Sequence, residues 1–265
     1  MSNVVITGCS GGMGLATSKE LVKQGYQVFG LDVKETEEFE YFHFLKTDLT
    51  KQEEIDKSFN LIKEQVNEID AIINMAGIYD LNSLIEMGEE EFIRIFNINL
   101  FAIYRMNKTF LPLLKEKGKI FITSSELAPL EPLPFTGIYG VTKTAVEKYA
   151  YSLRMELQLL GYQVIVIRPG AVDTGLLNVS TDKLNKFCDT TTHFEYNSQR
   201  FKKIVNNVEA KKIPPEKIAK LVGKVIHKKK PKYIYSINRN PLLRLLNITP
   251  KRFQNWVIKR ILIKK

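Results

Sequence analysis

Tyr139 and Lys143 stand four positions apart in YGVTK (139–143), within a pattern that predicts a helix from Tyr139 to Leu160. That spacing puts a phenol and an ammonium on one helix face, about one turn apart. A phenol so placed could give or take a proton, and the ammonium could tune it. Both residue types are common in helices, so the pair becomes chemistry only if another site gives it something to act on. The turn TGCSGGMG (7–14) is such a site. Gly8, Gly12 and Gly14 lie between a β-branched run, VVIT (4–7), and a helical pattern from Leu15 to Gln24 that closes at Gly25. Glycines there permit a tight turn, close approach of backbone to phosphate, and close packing of helix on strand. The helix start offers free N–H groups and its positive dipole end to an anion. The spacing is G-x3-G-x-G, not the G-x-G-x-x-G of the common dinucleotide fingerprint. Cys9, inside this loop, reads as a small packing residue.

Asp32 ends the next apolar run, QVFGLD (27–32). A carboxylate about 20 residues beyond the glycines is placed to bind a ribose hydroxyl and to repel a 2′-phosphate. Gly11 and Val33 supply no arginine to offset it, and Lys34 is the nearby cation. The cofactor favoured is NAD(H), with NADP(H) the weaker alternative.

The elements that must position these residues alternate along the chain. FHFLKTD (42–48) reads as a third strand, Lys51 to Val66 as an amphipathic helix, and IDAIINMAG (69–77) as a strand entering a glycine turn. One long helix is expected from Glu89 to Lys115, then strands at KIFITSS (119–125) and YQVIVIRPG (162–170). Strands apolar throughout and separated by helices predict an α/β fold, a doubly wound parallel sheet of Rossmann type with ligands at the carboxyl ends of its strands. Residues 175–212 are polar, with Leu176, Leu177, Phe187, Phe194 and Tyr196 scattered among them, and read as an irregular substrate lid. Pro214 and Pro215 open a helix, and KYIYS (232–236) reads as a last strand. The organisation expected is a single domain over 1–240 and a basic, apolar extension over 241–265.

Composition narrows the classes further. The chain has 265 residues, 44% hydrophobic and 26% charged, enough for a full core. Two cysteines and three isolated histidines provide neither a disulfide framework nor a metal motif. No apolar run reaches the ~18 residues of a bilayer span, and MSNVVITG leaves no room for a signal peptide, so a cytoplasmic protein is expected. The net charge of +10 is local: after Glu216 there is no Asp or Glu, while Lys217 to Lys265 hold 15 Lys and Arg. Such a segment, without a reading motif, does not predict nucleic-acid binding.

At this point the sequence resembles the short-chain dehydrogenases/reductases. The resemblance rests on TGCSGGMG, NMAG (74–77), Asn99, Ser125, YGVTK and RPGAVDT (168–174), in that order. It implies that Tyr139 is the general acid/base, that Lys143 lowers its pKa and holds the nicotinamide ribose, that Ser125 binds the substrate oxygen, and that Asn99 holds a relay water. It implies cofactor contacts from Gly8, Ser10, Gly12, Met13 and Gly14 in the first loop, and from Asp32. Further contacts fall on Asp48 and Leu49, with Asp48 and Asn74 on the adenosine side, and on Ala76 and Gly77. Pro169, Gly170, Val172 and Thr174 follow the sixth strand, with Thr174 on the nicotinamide carboxamide. The sequence departs from the family pattern in placing Ser125 14 rather than 13 positions before Tyr139, with Ser124 as the fallback serine, and in carrying Ala128 where a glycine is usual.

The expected reaction moves a hydride between NAD(H) and a secondary alcohol or carbonyl. The apolar residues of 127–138 and 175–212 suggest a steroid-like or otherwise lipophilic substrate, and a small ketone or sugar is the alternative. Two rival functions are a sugar-nucleotide epimerase or dehydratase and a non-catalytic, cofactor-binding scaffold. The family resemblance implies a homodimer or homotetramer packed through the 89–115 and 139–160 helices. In the tail, Phe253, Val257 and Ile261 form a stripe flanked by cations. It reads as a helix packed on the domain or a partner subunit, or as one lying on a membrane surface.

Overall fold

The computed structural model of the chain describes residues 2–209 and 211–263, with side chains throughout except at 176–180 and 208–209. Leu176 and Leu177 therefore lie outside the described side chains. Seven strands form one parallel sheet in the order 3-2-1-4-5-6-7. They are β1 (Ser2–Thr7), β2 (Tyr26–Asp32), β3 (Phe42–Lys46), β4 (Ile69–Asn74), β5 (Leu114–Thr123), β6 (Gln163–Pro169) and β7 (Ile234–Ile237). Both faces are covered, which is why the strands read as apolar without alternation. Val4 and Ile6 of β1 face α1 (Gly12–Lys23) and α8 (Glu216–Ile226), packing with Leu21, Ile218 and Val222. Val5 faces the other way, towards Ile55 and Ile62 of α2 (Gln52–Gln65), Met106 and Phe110 of α4 (Ala102–Phe110), and Val146 of α5 (Gly137–Leu157).

The order reverses at β1, which pairs with β2 on one side and β4 on the other. That reversal opens a crevice at the carboxyl ends of the strands. Strands β3, β4 and β5 end at Lys46, Asn74 and Thr123, earlier than the sequence suggests. Asp48, Ala76, Gly77 and Ser125 thus stand on the loops bordering the crevice.

The helix expected over Glu89–Lys115 is broken. It consists of α3 (Glu89–Phe96), a π-helical turn (Asn97–Phe101) that carries Asn99, then α4 and a 3₁₀ turn (Leu111–Leu113) containing Pro112. Pro112 has no N–H to give the Lys108 carbonyl, so the helical ladder stops here and the chain enters β5 at Leu114. Helix α5 starts two residues before Tyr139 and closes through a 3₁₀ turn (Gln158–Leu160) on left-handed Gly161, φ 82°.

Residues 175–212 correct the expectation of an irregular lid: they form α6 (Gly175–Thr190) and α7 (Glu195–Glu209). The reason is apolar spacing. Leu184, Phe187 and Cys188 share one face of α6, Phe201 and Val205 one face of α7, and these close around Phe135, Leu81 and Leu262 in a third core cluster. The tail is two helices, α9 (Pro241–Ile248) and α10 (Lys251–Leu262), divided at Thr249–Pro250. Asn240 caps α9, its Oδ1 accepting from the Leu242 and Leu243 N–H groups at 2.9 and 3.3 Å. In α10 the inward face is Gln254, Ile258 and Leu262, one position off the stripe read from the sequence; Phe253 and Ile261 are exposed. Among the described residues no helix is long and apolar enough to cross a membrane.

Candidate active site

The glycine loop is fixed by steric necessity. Gly8 has φ 72°, and a Cβ there would lie 2.8 Å from the Ala76 backbone nitrogen. A Cβ on Gly14 would stand 2.0 Å from the Gly8 carbonyl oxygen, so the first turn of α1 can approach β1 only without a side chain. Gly12 has a different constraint from the one its spacing suggests: its Cβ would meet Thr174 Cγ2 at 2.8 Å. Thr174, before the first residue of α6, is thereby held against the start of α1. The Asp32 carboxylate accepts from the Ser10 N–H at 3.1 Å and the Lys34 N–H at 3.0 Å, tying the glycine loop to the end of β2. The Ser10 hydroxyl donates to the Lys34 carbonyl. These residues fit a dinucleotide: a helix start with unpaired N–H groups, a cradle closed to any Cβ, and a carboxylate at the ribose position.

On the adenosine side the expected residues divide. The Asp48 carboxylate accepts from the Thr50 N–H and hydroxyl at 2.9 and 2.7 Å, forming a local turn. Leu49 is buried in the core beneath it. Asn74 turns inward, its Nδ2 donating to Asn107 Oδ1 at 2.9 Å and to the Phe121 carbonyl at 3.2 Å, which ties β4 to α4 and β5. The Ala76 N–H donates to Thr7 Oγ1 at 3.2 Å.

The chemical residues converge at the ends of β4 and β5. Lys143 is buried and its Nζ donates to the Thr123 carbonyl at 3.1 Å. Burial pulls its pKa down to about 8. Asn99 accepts from the Ile78 N–H at 2.8 Å and donates to the Ile78 carbonyl at 3.0 Å and to Thr142 Oγ1 at 3.1 Å. A Cβ on Gly77 would lie 3.2 Å from Asn99 Oδ1 and 3.5 Å from Lys143 Nζ, so glycine there leaves both polar groups their room.

Tyr139 projects into the same pocket, with Lys143 Nζ 5.7 Å from its ring centroid and Tyr79 edge-on against it at 4.6 Å. Its phenol is pushed up to about 12, first by burial, with the Ser125 hydrogen bond opposing and the Glu126 charge adding to the rise. Within the pocket the Ser125 hydrogen bond draws the phenol pKa down, while Lys143 Nζ donates to the Thr123 carbonyl. The two serines are distinguished as well. Ser124 Oγ donates to Glu147 Oε1 at 2.8 Å, and Glu147 is ion-paired with Arg168. Ser125 Oγ accepts from the Leu127 N–H at 3.2 Å and faces Tyr139.

The pocket is lined by Met13, Gly77, Ser125, Tyr139, Lys143, Pro169, Gly170, Val172 and Thr174, and also by Ile78, Leu127, Leu133, Phe201, Ile204, Val205 and Leu243. Of the second group, Leu127, Leu133, Phe201, Ile204 and Val205 fall in the two segments, 127–138 and 175–212, whose apolar residues suggest such a pocket, and Ile78 and Leu243 do not. Phe201, Ile204 and Val205 have helical spacing that identifies an apolar face, but Leu243 arrives from α9 with no local signal. Glu126 was also missed, although it adjoins Ser125. Among the described residues no cluster of His, Cys, Asp and Glu could hold a metal.

Residues 2–185 match the sequence profile of the short chain dehydrogenases. Among curated relatives, a 3-ketodihydrosphingosine reductase of Bacteroides thetaiotaomicron is 28% identical over 248 residues, covering 92% of this chain and 89% of that protein. An NADPH-dependent 3-dehydrocapnine reductase of Ornithobacterium rhinotracheale is 29% identical over 259 residues, covering 92% and 90%. Among solved structures, a short chain dehydrogenase family protein of Francisella tularensis superposes with a TM-score of 0.74 at 24% identity, covering 89% of this chain and 97% of that one.

Proposed function

This chain belongs to the short-chain dehydrogenase family and is an NAD(P)-dependent oxidoreductase acting on CH–OH groups; from that premise we propose that it interconverts a lipophilic ketone and its secondary alcohol, with NAD(H) preferred. The observation that carries the substrate class is the pocket lining: together with Ser125 and Tyr139 it contains Leu127, Leu133, Phe201, Val205 and Leu243, all apolar. Two relatives named as reductases of 3-ketodihydrosphingosine and 3-dehydrocapnine support a ketone. A small sugar would find few hydrogen-bonding partners in that lining.

A bound nicotinamide supplies or accepts the hydride at the substrate carbon. The chain's own residues handle the oxygen. Ser125 Oγ donates a hydrogen bond to it, and Tyr139 Oη gives it a proton in reduction or takes one in oxidation. Tyr139, held at about 12, is protonated near neutral pH, which is the state reduction requires. Lys143, at about 8, exchanges a proton readily in that range and can restore the phenol, with Asn99 beside it to hold a relay water. Ser125, Tyr139 and Lys143 meeting in one pocket weigh against a non-catalytic scaffold.

NAD preference rests on Asp32, whose carboxylate would meet a 2′-phosphate as a like charge. The test is titration of the protein with NADH and NADPH by nucleotide fluorescence, repeated on Asp32→Ala. NADH should bind about tenfold tighter, and the variant should lose the preference. Equal affinity in the wild type would refute it.

Two surfaces complete the reading. Phe101 and Tyr104 beside α4, with Tyr151 and Met155 on α5, are exposed and suit a second copy of the chain. Leu242, Leu245, Ile248 and Trp256 on α9 and α10 are exposed among Arg244, Lys251, Arg252 and Lys259, which suits an anionic lipid surface. Sedimentation with and without anionic vesicles tests both: a monomer that stays in the supernatant would remove them.

A further inference from the structure

Glu126 is the ionisable group of the pocket that the proton chemistry leaves without a role. It follows Ser125, lines the same cavity and is 7% exposed. Its backbone is fixed by donation from its N–H to the Pro169 carbonyl at 2.9 Å. Its Oε2 accepts from the Asn240 N–H at 2.6 Å, at the cap of α9. None of the described residues donates a hydrogen bond to Oε1, which lies 3.0 Å from where a Cβ on Gly170 would stand. Glu126 and Lys143 are the two charged residues among those described in the pocket lining, and Lys143 is committed to Thr123. Burial pushes the Glu126 carboxyl up from its ordinary value, against the Asn240 N–H and the charge of Arg239.

A carboxylate in apolar surroundings is costly unless a cation or donor meets it. One oxygen has its backbone donor; the other lies beside Gly170, in the lining of the pocket that also contains Ser125. The chemistry that answers a carboxylate oxygen without a donor is an ammonium. We propose that Glu126 recognises a cationic amine one or two carbons from the reacting carbonyl, so that this chain acts on lipophilic amino ketones or the matching amino alcohols. The inference rests on the ketone-reductase reading above. It also explains how Tyr139 works beside a negative charge. Glu126 opposes ionisation of the phenol, and a substrate ammonium would cancel that opposition as Tyr139 gives up its proton. The apolar chain would extend towards Phe201, Val205 and Leu243.

The test compares two long-chain ketones of equal length, one with an amino group on the carbon beside the carbonyl and one without, reduced by NADH with the intact protein and with Glu126→Gln. Glutamine keeps an acceptor for the Asn240 N–H, removes the charge and turns the second oxygen into an NH2 donor that repels an ammonium. The wild type should prefer the amino ketone in kcat/KM by about 10- to 100-fold, and the variant should lose most of that ratio. A wild type with no preference, or a variant that lowers both substrates equally, would overturn the inference while leaving the ketone-reductase reading in place. Turnover of neither ketone would overturn that reading too. Thermal stabilisation of the NADH complex by decylamine against decanol supplies a second readout, which decides the matter on the wild type if the variant does not fold. Stabilisation by decylamine alone is expected; equal stabilisation by both counts against an amine site.

Discussion

The cofactor wall and the substrate wall of the pocket are held by different means. At the carboxyl ends of β1 and β4, backbone touches backbone, Gly14 against Gly8 and Gly8 against Ala76, and the Ala76 N–H donates to the Thr7 hydroxyl. By contrast, α6, α7 and α10 are held by side chains. Phe135 meets Phe187 at a tilt and Phe194 and Phe201 edge-on; Lys183 pairs with Asp80 and Glu91; and Asn197 Nδ2 donates to the Leu262 carbonyl at 2.7 Å. Phe135 itself adopts φ 63°, a left-handed conformation costly for a bulky residue, and the burial of its ring offsets that cost. A wall built on backbone contacts tolerates little change. A wall built on side chains can be altered by single substitutions while the hydride geometry stays fixed. Glu126 sits at the join, its Oε2 tied to the first residues of α9.

The sharpest way to separate the two walls is Tyr139→Phe. It removes the proton at the join and leaves the glycine cradle intact, so kcat should fall by about 10³-fold while NADH affinity stays near that of the wild type. A turnover assay paired with NADH fluorescence checks this; retained turnover would defeat the assignment. Phe135→Ala should come next. Loss of the ring from the third cluster should cost about 3–5 kcal/mol of stability by denaturant unfolding. Its effect on kcat/KM for a bulky ketone should exceed its effect on NADH binding. Equal losses in both would mean that the two walls are not independent.

The smallest effect is expected at Glu86. Its carboxylate accepts from Thr191 Oγ1 at 2.7 Å and from the Thr192 and His193 N–H groups at 2.9 and 3.0 Å, closing the turn between α6 and α7. The Thr191 hydrogen bond is the largest of the influences that pull its pKa from 4.5 down to about 2. A lowered carboxyl pKa stabilises the folded state above 4.5 and ceases to do so as pH falls towards 2. The melting-temperature gap between wild type and Glu86→Gln should therefore be open at neutral pH and close across that interval. A gap independent of pH would assign the contact to packing rather than charge.

The sequence by itself determined the order of strands and helices as far as β6, the parallel sheet and the family, because each signal is local. VVIT followed by glycines, Asp32 closing β2, and Tyr139 one turn from Lys143 all lie within single strand–loop–helix units, where period and spacing constrain the backbone directly. Tertiary structure decided what depends on distant chain segments. It turned Asn74 inward to Asn107 and gave Ser124 to Glu147, which leaves Ser125 facing Tyr139. It made helices of 175–190 and 195–209, because Leu184, Phe187, Phe201 and Val205 are worth burying only once Phe135, Leu81 and Leu262 arrive to cover them. It brought Leu243 to the pocket and Asn240 to Glu126 across more than a hundred residues of chain. Burial and hydrogen bonding at such separations depend on the whole packing, and no local pattern encodes them.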